Sequence, residues 1–372
     1  MLRVDQITLR EVRLPLREPF RISSGVVSER RITLLEIRDV DGVTVWSEGV
    51  AGELPNYSPE AIDTAWIAIR DWVAPRVIGR SFSHPGEVFA TLEADFRGNL
   101  MAKAAVEMGM WVLEAQRQGM PLARLLGGTR DAIATGISLG IQPSPEALVA
   151  KVTAAHAEGY RKVKIKIAPG HDVAFIAAAR EALPDAPLMA DANNAYTLDD
   201  VSVMRQLDQF DLMMIEQPLA WDDIYQHATL QRELRTPICL DESITSLDKA
   251  REMVTLDAGR IVNIKPGRVG GFASSLAIHD YCLANHIPVW CGGMLESGVG
   301  RACNVALASL PGFTKPGDLS PSARYWARDL VTPEWTMTAD GMVPVPLDQP
   351  GLGVALDYDR IEDLTVRIEV VR

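Results

Sequence analysis

The 372-residue sequence is poor in cysteine, histidine and aromatic residues. Its cysteines are scattered and include no CxxC pair, which favours free, buried thiols in a reducing cytoplasm over a disulfide framework. The six histidines are dispersed, and none has metal-ligand spacing with another. A cysteine- or histidine-based metal site is therefore not expected. The four cysteines are Cys239, Cys282, Cys291 and Cys303.

The chain also lacks a long apolar run, a secretory signal and an excess of positive charge. No stretch approaches the roughly 18 apolar residues of a membrane span. The N-terminal "MLRVDQITLREVRLPL" mixes charged with apolar residues, unlike a signal peptide. The net charge of −12 argues against nucleic-acid or anionic-membrane surfaces. We therefore expect a cytoplasmic protein that binds a small molecule, and neither nucleic acid nor membrane.

A regular series of charged residues is present instead, each ending a short apolar run. The runs "KVKIK", "APLMAD", "LMMIE", "PICLD" and "RIVNIK" recur about every 25 residues. Each interval has room for one helix and two loops, which indicates repeated strand–helix units and a parallel sheet. The charges stand at the C-terminal tips of those strands, where β/α barrels build their active sites. They are Lys166, Asp191, Glu216, Asp241 and Lys265.

The remaining sequence predicts two domains. Residues 1–125 show strands followed by helices, which is typical of an α+β module. Residues 126–334 predict the barrel, with a first strand over 132–141, a seventh at "IPVWC" and an eighth near "FTKPGD". The tail, 335–372, ends in "LTVRIEVV", and we expect it to complete the N-terminal module.

Three of the strand-tip charges are carboxylates, namely Asp191, Glu216 and Asp241. Three hard oxygen ligands on a rigid frame suit Mg²⁺, and three close carboxylates need a cation to offset their repulsion. A solvated loop carboxylate or a helix cap would explain any one of them. It does not explain three at equal spacing.

The two flanking lysines, Lys166 and Lys265, fall on strands two and six, on opposite sides of a barrel mouth. Lys164 lies on the same strand face as Lys166. A neutral lysine base needs a pKa below about 10.4, and a neighbouring ammonium group, Mg²⁺ and partial burial would each lower it. The alternative is a buried salt-bridge cluster without catalysis, which accounts poorly for two lysines on opposite walls.

Six motifs together resemble the enolase superfamily: "KVKIKIAPG", "ADANNAY", "IEQPLA", "PICLDES", "NIKPGRVGG" and "WCGGMLESGVGRACNVALASLPGFTKPGD". Within it they are similar to the muconate-cycloisomerase-like branch and to the o-succinylbenzoate synthase / N-acylamino acid racemase family. The resemblance implies a modified (β/α)₇β TIM barrel with an α+β capping domain made from both chain ends. It also implies Mg²⁺, or Mn²⁺ or another divalent ion in its place, on the three carboxylates.

The same resemblance implies roles for further residues. Lys166 and Lys265 would be the acid/base pair, and Lys164 would hold the substrate carboxylate. Glu296 has two open interpretations, a pocket residue and a carboxylate at a helix N-terminus. Loops 17–27 and 51–58 would form a lid, although Ser23 and Ser24 replace a usual aromatic there, and Cys303 replaces His or Ala. The implied pocket contains Phe20, Tyr57, Ser138, Asn193, Gly293, Met294, Leu295 and Glu296.

The implied function is Mg²⁺-dependent abstraction of a proton α to a carboxylate through an enediolate. The expected enzyme, a homo-oligomer acting on a small carboxylate, is an o-succinylbenzoate synthase of menaquinone biosynthesis and/or an N-acylamino acid (N-succinylamino acid) racemase. A dipeptide epimerase or a muconate-type cycloisomerase would use the same skeleton. The alternative in which the protein is not an enzyme is a non-catalytic, metal-stabilised barrel.

Overall fold

The structure, a computed structural model, describes residues 1–22 and 25–372. Its strands are β1 Leu2–Ile22, β2 Gly25–Asp39, β3 Thr44–Gly49, β4 Ser81–Phe82, β5 Ala132–Ala134, β6 Ile137–Leu139, β7 Val163–Lys166, β8 Leu188–Asp191, β9 Ile215–Glu216, β10 Ile238–Leu240, β11 Ile261–Ile264, β12 Val289–Cys291, β13 Val331–Thr332, β14 Met342–Pro344, β15 Ala355–Leu356 and β16 Thr365–Val371.

The helices are α1 Ile62–Ala68, α2 Ala74–Val77, α3 Gly86–Glu93, α4 Leu100–Arg117, α5 Leu122–Leu125, α6 Pro145–Ala157, α7 Val173–Ala182, α8 Val201–Leu207, α9 Tyr225–Glu233, α10 Leu247–Leu256, α11 Phe272–Ala284, α12 Gly298–Ala308 and α13 Tyr358–Leu364. A π-helical turn, Ile69–Val73, joins α1 to α2, and 3₁₀ turns cover Leu198–Asp200, Asp208–Phe210 and Ser322–Arg324. None of the described helices combines the length and the apolar composition that a membrane crossing requires.

The capping module is an antiparallel sheet in the order β16-β1-β2-β3, covered by helices. Alternate residues of β1, such as Ile7 and Leu9, are fully buried, as expected for a sheet with a covered face. The long helix α4 packs against β3 and buries residues all around its circumference, so it is the central helix of the module. The last strand pairs with the first, with Val371 opposite Ile7, and so the C-terminal tail joins the N-terminal sheet.

The second sheet is the predicted parallel one, and the fold class is confirmed. Its seven strands follow chain order from β6 to β12, and its pairings are all parallel. Every residue of β7 and β8 is buried, because helices cover the outside of the sheet and side chains fill its inside. The near-continuous apolar runs of the sequence are therefore the walls of the barrel.

Two strand predictions were wrong in detail. The single strand expected over 132–141 is two strands that belong to different sheets, β5 pairing with β14 and β6 with β7. Gly136 lies between them and packs closely against Lys162: a Cβ at position 136 would lie 2.8 Å from the Lys162 carbonyl oxygen. A residue larger than glycine would therefore not fit there.

The eighth strand is the other exception. Within the described part of the chain, residues 313–318 form no strand but make single parallel bridges to both barrel edges, Phe313 to Val289 and Gly317 to Thr135. Backbone hydrogen bonds complete the closure, with the Asp318 N–H donating to Cys291 O at 2.9 Å. The Pro-Gly pair in "FTKPGD" explains the loss of a regular ladder, since proline lacks an N–H donor.

Two buried glutamates of the capping module join it to barrel helices. Glu48 on β3 accepts hydrogen bonds from the backbone N–H groups of Ser297 and Gly300, at the start of α12. Glu107 on α4 accepts from the N–H groups of Phe272 and Ala273 at 2.6 and 2.9 Å, at the start of α11. A carboxylate is favourable at a helix N-terminus because it satisfies free N–H groups and opposes the helix dipole. Both contacts fix the module over the barrel.

Burial makes this arrangement sensitive to pH, because it raises the pKa of Glu107 to about 7 from 4.5. The folded protein then binds this proton more tightly than the unfolded chain does. The stability contributed by protonation is fully present below about pH 4.5 and is lost as the pH rises through about 7. Glu107→Gln cannot ionise, so from pH 5 to 8 the wild type should lose up to about 3 kcal/mol more unfolding free energy than this variant.

Urea unfolding of both proteins at pH 5 and pH 8 measures this difference. Glu362→Gln, an exposed glutamate on α13, is the matched control and should follow the wild type at both pH values. Parallel pH profiles for wild type and Glu107→Gln would contradict the assignment of Glu107 as a buried, titrating helix cap.

Candidate active site

Strand register brings the predicted charges to one end of the barrel. Lys166 is the register partner of Asp191, and Asp191 is the partner of Glu216. Asp241 directly follows β10, and Lys265 directly follows β11. Because the carboxyl ends of parallel strands share one rim, all five side chains gather at the end of the barrel that carries active sites.

Two of the three carboxylates are paired with the predicted lysines. Lys166 Nζ lies 2.6 Å from Asp191 Oδ2, and Lys265 Nζ lies 2.7 Å from Asp241 Oδ2. Burial alone would raise the pKa of both aspartates, but the adjacent ammonium groups outweigh it and hold each pKa below its usual range. Both aspartates are therefore ionised, even though they are almost fully buried.

Glu216, between them, behaves differently. It is fully buried, and burial together with the neighbouring charge of Asp191 raises its pKa well above the usual range. It accepts hydrogen bonds from Lys164 Nζ at 3.2 Å and from Asn263 Nδ2 at 2.8 Å. These partners do not compensate for the concentration of negative charge at this rim.

The donor set fits a hard divalent cation. Across residues 1–22 and 25–372, no group of three or more His, Cys, Asp or Glu side chains forms a ready-made metal site, and the carboxylate oxygens face ammonium groups instead. Three buried carboxylates from neighbouring strands nevertheless supply the oxygen ligands that Mg²⁺ prefers. Burial and the charge of Asp191 raise the pKa of Glu216, and a cation beside it would favour its ionised form. An ion would bind by replacing lysine partners.

The two predicted base lysines stand four strands apart in the sheet, Lys166 on β7 and Lys265 after β11. Both side chains border the same two cavities. Among the protein's own groups, burial would lower the pKa of Lys265, but the charge of Asp241 outweighs burial and raises it. The lowered lysine pKa expected with Mg²⁺ nearby stays a prediction. The carboxylate that holds this lysine in place also keeps it protonated.

Two cavities open between these lysines. The catalytic cavity, of about 60 Å³, borders Lys164, Lys166 and Lys265, and the apolar chamber, of about 310 Å³, extends towards the capping module past Leu54 and Met101. The predicted pocket residues divide between them. Ser138 and Glu296 line the catalytic cavity, Tyr57, Asn193 and Met294 line the apolar chamber, and Phe20, Gly293 and Leu295 line both.

Residues next to the lysines hold them in place. Asn193 Oδ1 accepts a hydrogen bond from Lys166 Nζ at 2.6 Å. Tyr57 Oη donates to Asp241 Oδ1 at 2.9 Å and accepts from Lys265 Nζ at 3.0 Å. Because Tyr57 comes from the capping module, the rim of charges is built from both parts of the chain.

Glu296 fits the first of the two interpretations that the sequence left open, a pocket residue, whereas Glu48 accepts the hydrogen bonds of backbone N–H groups at the start of α12. It lines the catalytic cavity just before α12, and its Oε1 accepts a hydrogen bond from Asn304 Nδ2 at 2.9 Å. Its Oε2 accepts from the backbone N–H of Met294 at 2.8 Å. These bonds hold a strained loop, in which Leu295 has a φ of +58°. The position of Glu296 suits support of the pocket wall, and a catalytic role stays a prediction.

The predicted lid is described apart from Ser23 and Ser24, which lie outside the described residues. The β1–β2 hairpin that carries it contacts the barrel through its backbone. The Arg17 N–H donates to Tyr325 O at 2.8 Å, and the Ile141 N–H donates to Arg21 O at 3.1 Å. The hairpin therefore rests on the barrel rim and brings Phe20 to both cavities.

Sequence reasoning missed two charged residues of the site. Asp318 Oδ2 lies 2.5 Å from Lys164 Nζ, and its Oδ1 lies 3.0 Å from Lys162 Nζ. Arg268 is also buried, and its guanidinium donates to Asp241 and, at 3.2 Å, to Tyr57 Oη. Asp318 follows the end of the seventh strand by about one repeat interval, so spacing alone could have indicated it, although "FTKPGD" is not an apolar run. Nothing in the sequence marks Arg268 apart from its place three residues after Lys265.

Comparison with known proteins agrees with this architecture. Residues 4–127 match the family described as "Mandelate racemase / muconate lactonizing enzyme, N-terminal domain", and residues 147–360 match "Enolase C-terminal domain-like". The crystal structure of an enolase-superfamily member from Listeria innocua superposes with a TM-score of 0.96 at 39% identity, covering 100% of this chain and 99% of that one.

Two curated relatives are similar over nearly the whole length. An o-succinylbenzoate synthase from Bacillus subtilis is 46% identical over 370 residues, which is 100% of this chain and 99% of the relative. An N-succinylamino acid racemase from Thermus thermophilus is 47% identical over 365 residues, which is 98% of each. The chain therefore belongs to the enolase superfamily, in the mandelate racemase and muconate lactonizing enzyme family.

Proposed function

We propose that this protein removes a proton α to a carboxylate, as an o-succinylbenzoate synthase and/or an N-succinylamino acid racemase. The observation that carries the proposal is the placement of two buried lysines on opposite walls, both bordering one cavity. Relatives named for these two reactions share 46–47% of the sequence. Both reactions begin with loss of the same kind of proton, so one arrangement of side chains serves both.

Each lysine has a defined task in this proposal. Lys164, which lines the catalytic cavity, pairs with the substrate carboxylate. Lys166 accepts the α-proton from one face of the carbon, and Lys265 stands at the other face. In racemisation Lys265 delivers a proton to that opposite face. In dehydration Lys166 returns its proton to the departing hydroxide, and Lys265 stabilises the enediolate by its charge alone.

Asp191, Glu216 and Asp241 are the proposed ligands of a divalent ion, Mg²⁺ or a substitute such as Mn²⁺. When bound, such an ion supplies positive charge that stabilises the developing enediolate. The site supports this because three buried oxygen donors sit on neighbouring strand ends. An ion bound to Asp191 and Asp241 would also weaken the ion pairs of these carboxylates with the two lysines, whose neutral forms are the bases.

The proposal also covers the setting of the protein. We place it in the cytoplasm, where its four buried cysteines, all free in this structure, would remain reduced. Synthase activity would put it in menaquinone biosynthesis. The homo-oligomer expected from the sequence stays a prediction, and light scattering of the purified protein would test it.

Removal of the proposed metal ligands is the first test. Asp191→Ala, Glu216→Ala and Asp241→Ala should each lower turnover at least about 10²-fold, because the ion contributes several kcal/mol to stabilising the enediolate. Treatment of the wild type with EDTA should have the same effect and should be reversed by Mg²⁺. Asp248→Ala, an exposed aspartate at the start of α10, is the matched control and should retain full activity. Full turnover with no metal detected by elemental analysis would disprove the metal site.

The two lysines predict a stereochemical difference. In D₂O, Lys166→Ala should stop α-proton exchange from one enantiomer of an N-succinylamino acid, and Lys265→Ala from the other. Both variants should lose racemisation by about 10²–10⁴-fold, since racemisation needs both faces. Proton NMR measures exchange, and polarimetry measures racemisation. Lys249→Ala, at a half-buried lysine on α10 that pairs with Glu252, should behave as wild type.

Lys265→Arg separates the two overall reactions. It keeps the positive charge but provides no usable base, so it should retain more dehydration than racemisation. Equal exchange of both enantiomers by either alanine variant would show that the lysines do not flank the carbon. An absence of any exchange in the wild type with bound Mg²⁺ would favour the non-catalytic barrel, and turnover of dipeptides or muconate instead would favour the alternative enzymes.

A further inference from the structure

A third cavity, of about 200 Å³, lies beside the catalytic cavity and shares Phe20 and Tyr325 with it as walls. We call it the basic chamber. It lies where the β1–β2 hairpin rests on the barrel, between the loop after β6 and the turn Ser322–Arg324. Its charged and amide lining residues are Glu18, Arg21, Gln142, Lys151 and Arg324.

The charge of the basic chamber is positive. Its one carboxylate, Glu18, is paired with Lys151 at 3.0 Å, and that pairing lowers the pKa of Glu18. The charge of Arg324 also lowers the pKa of Glu18, so this one carboxylate faces three cations, Lys151, Arg21 and Arg324, and the chamber keeps a net positive charge. By contrast, Arg31 at the edge of the apolar chamber is bound by three carboxylates. A second anionic group of the substrate would therefore meet free positive charge in the basic chamber.

Two buried polar atoms at the boundary between the cavities have no hydrogen-bond partner in the described part of the chain. One is Nε of Arg324 and the other is Oγ of Ser138. Ser138 is 93% buried (7% exposed) and lines the catalytic cavity, and its backbone oxygen accepts from Arg324 Nη2 at 3.4 Å. Buried donors are almost always satisfied in folded proteins, and an acceptor supplied by a ligand would satisfy this pair.

We propose that Arg324, assisted by Ser138, binds the distal carboxylate of a succinyl group on the substrate. The inference rests on the proposed function, because that group belongs to its substrates. A planar guanidinium matches a carboxylate in charge and geometry. The succinyl tail of the substrate passes Phe20 and Tyr325 to reach Arg324, while the α-carboxylate of the substrate stays near Lys164. The side chain or ring of the substrate occupies the apolar chamber. Arg324 is thus a specificity residue for an acidic acyl tail.

The test compares two acyl groups on the same amino acid. An N-butyryl group has the chain length of N-succinyl but lacks the distal carboxylate. Arg324→Gln should lower kcat/KM for the N-succinylamino acid by about 10–100-fold, the value of a charge-assisted hydrogen bond, and for the N-butyryl compound by less than about 3-fold. Arg324→Lys should recover part of the lost preference because it keeps the charge. Arg328→Gln, an exposed arginine four residues on that pairs with Asp357, is the control and should match the wild type.

Equal losses of kcat/KM on both compounds would mean that Arg324 only supports the fold, and no loss on either compound would place the tail elsewhere; either result overturns the proposal. Calorimetric titration with the two compounds separates this outcome from failure of the proposed function, since binding needs no turnover. One outcome is that the wild type exchanges no α-proton and yet binds the N-succinyl compound more tightly than the N-butyryl one. If Arg324→Gln then abolishes the difference in affinity, the carboxylate-binding role of the basic chamber is supported and the proposed reaction is not. If the wild type binds both equally, the chamber is disproved, whatever the activity.

Discussion

The site depends on the burial of like charges side by side. Parallel register leaves no choice about where Asp191 and Glu216 lie, because their backbones are paired and both follow apolar strands into the barrel. Carboxylates so close together in a buried place must be compensated. Lysines supply that compensation in this structure, and the same demand explains why Lys164, Lys166 and Lys265 are themselves almost completely buried.

The compensating charges need neighbours of their own. Lys164 contacts Asp191 and Glu216 and also Asp318. Beneath it, Lys162 is fully buried, with its Nζ 3.5 Å from the centre of the Trp290 ring. Such a network holds each member in one position, because every charge that moved away would leave another uncompensated. A preorganised set of charges is what stabilisation of a short-lived anion requires.

Much of this could be predicted from the sequence, and the failures have physical reasons. The strand tips were found because each charge ends an apolar run. Parallel register then brings residues that are regularly spaced along the chain close together at one rim. Asp318 was missed because the Pro-Gly pair before it removes the strand signature while leaving the residue at the same rim. Arg268 was missed because its position depends on the turn after Lys265, which no periodicity describes. The raised pKa of Lys265 was missed because it reflects a 2.7 Å contact, which spacing cannot give.

The pairing of β16 with β1 has a consequence for how the chain is made. The sheet that carries Phe20 contains β1 and receives its outer strand, β16, from beyond the barrel strands in the sequence. On the ribosome, the barrel strands emerge before that final strand exists, so the barrel can form while the sheet above it still has an open edge. Topologically, the barrel is an insertion into a sheet whose two ends meet. A circular permutant that joins the neighbouring termini and opens in an exposed barrel loop would keep every strand pairing.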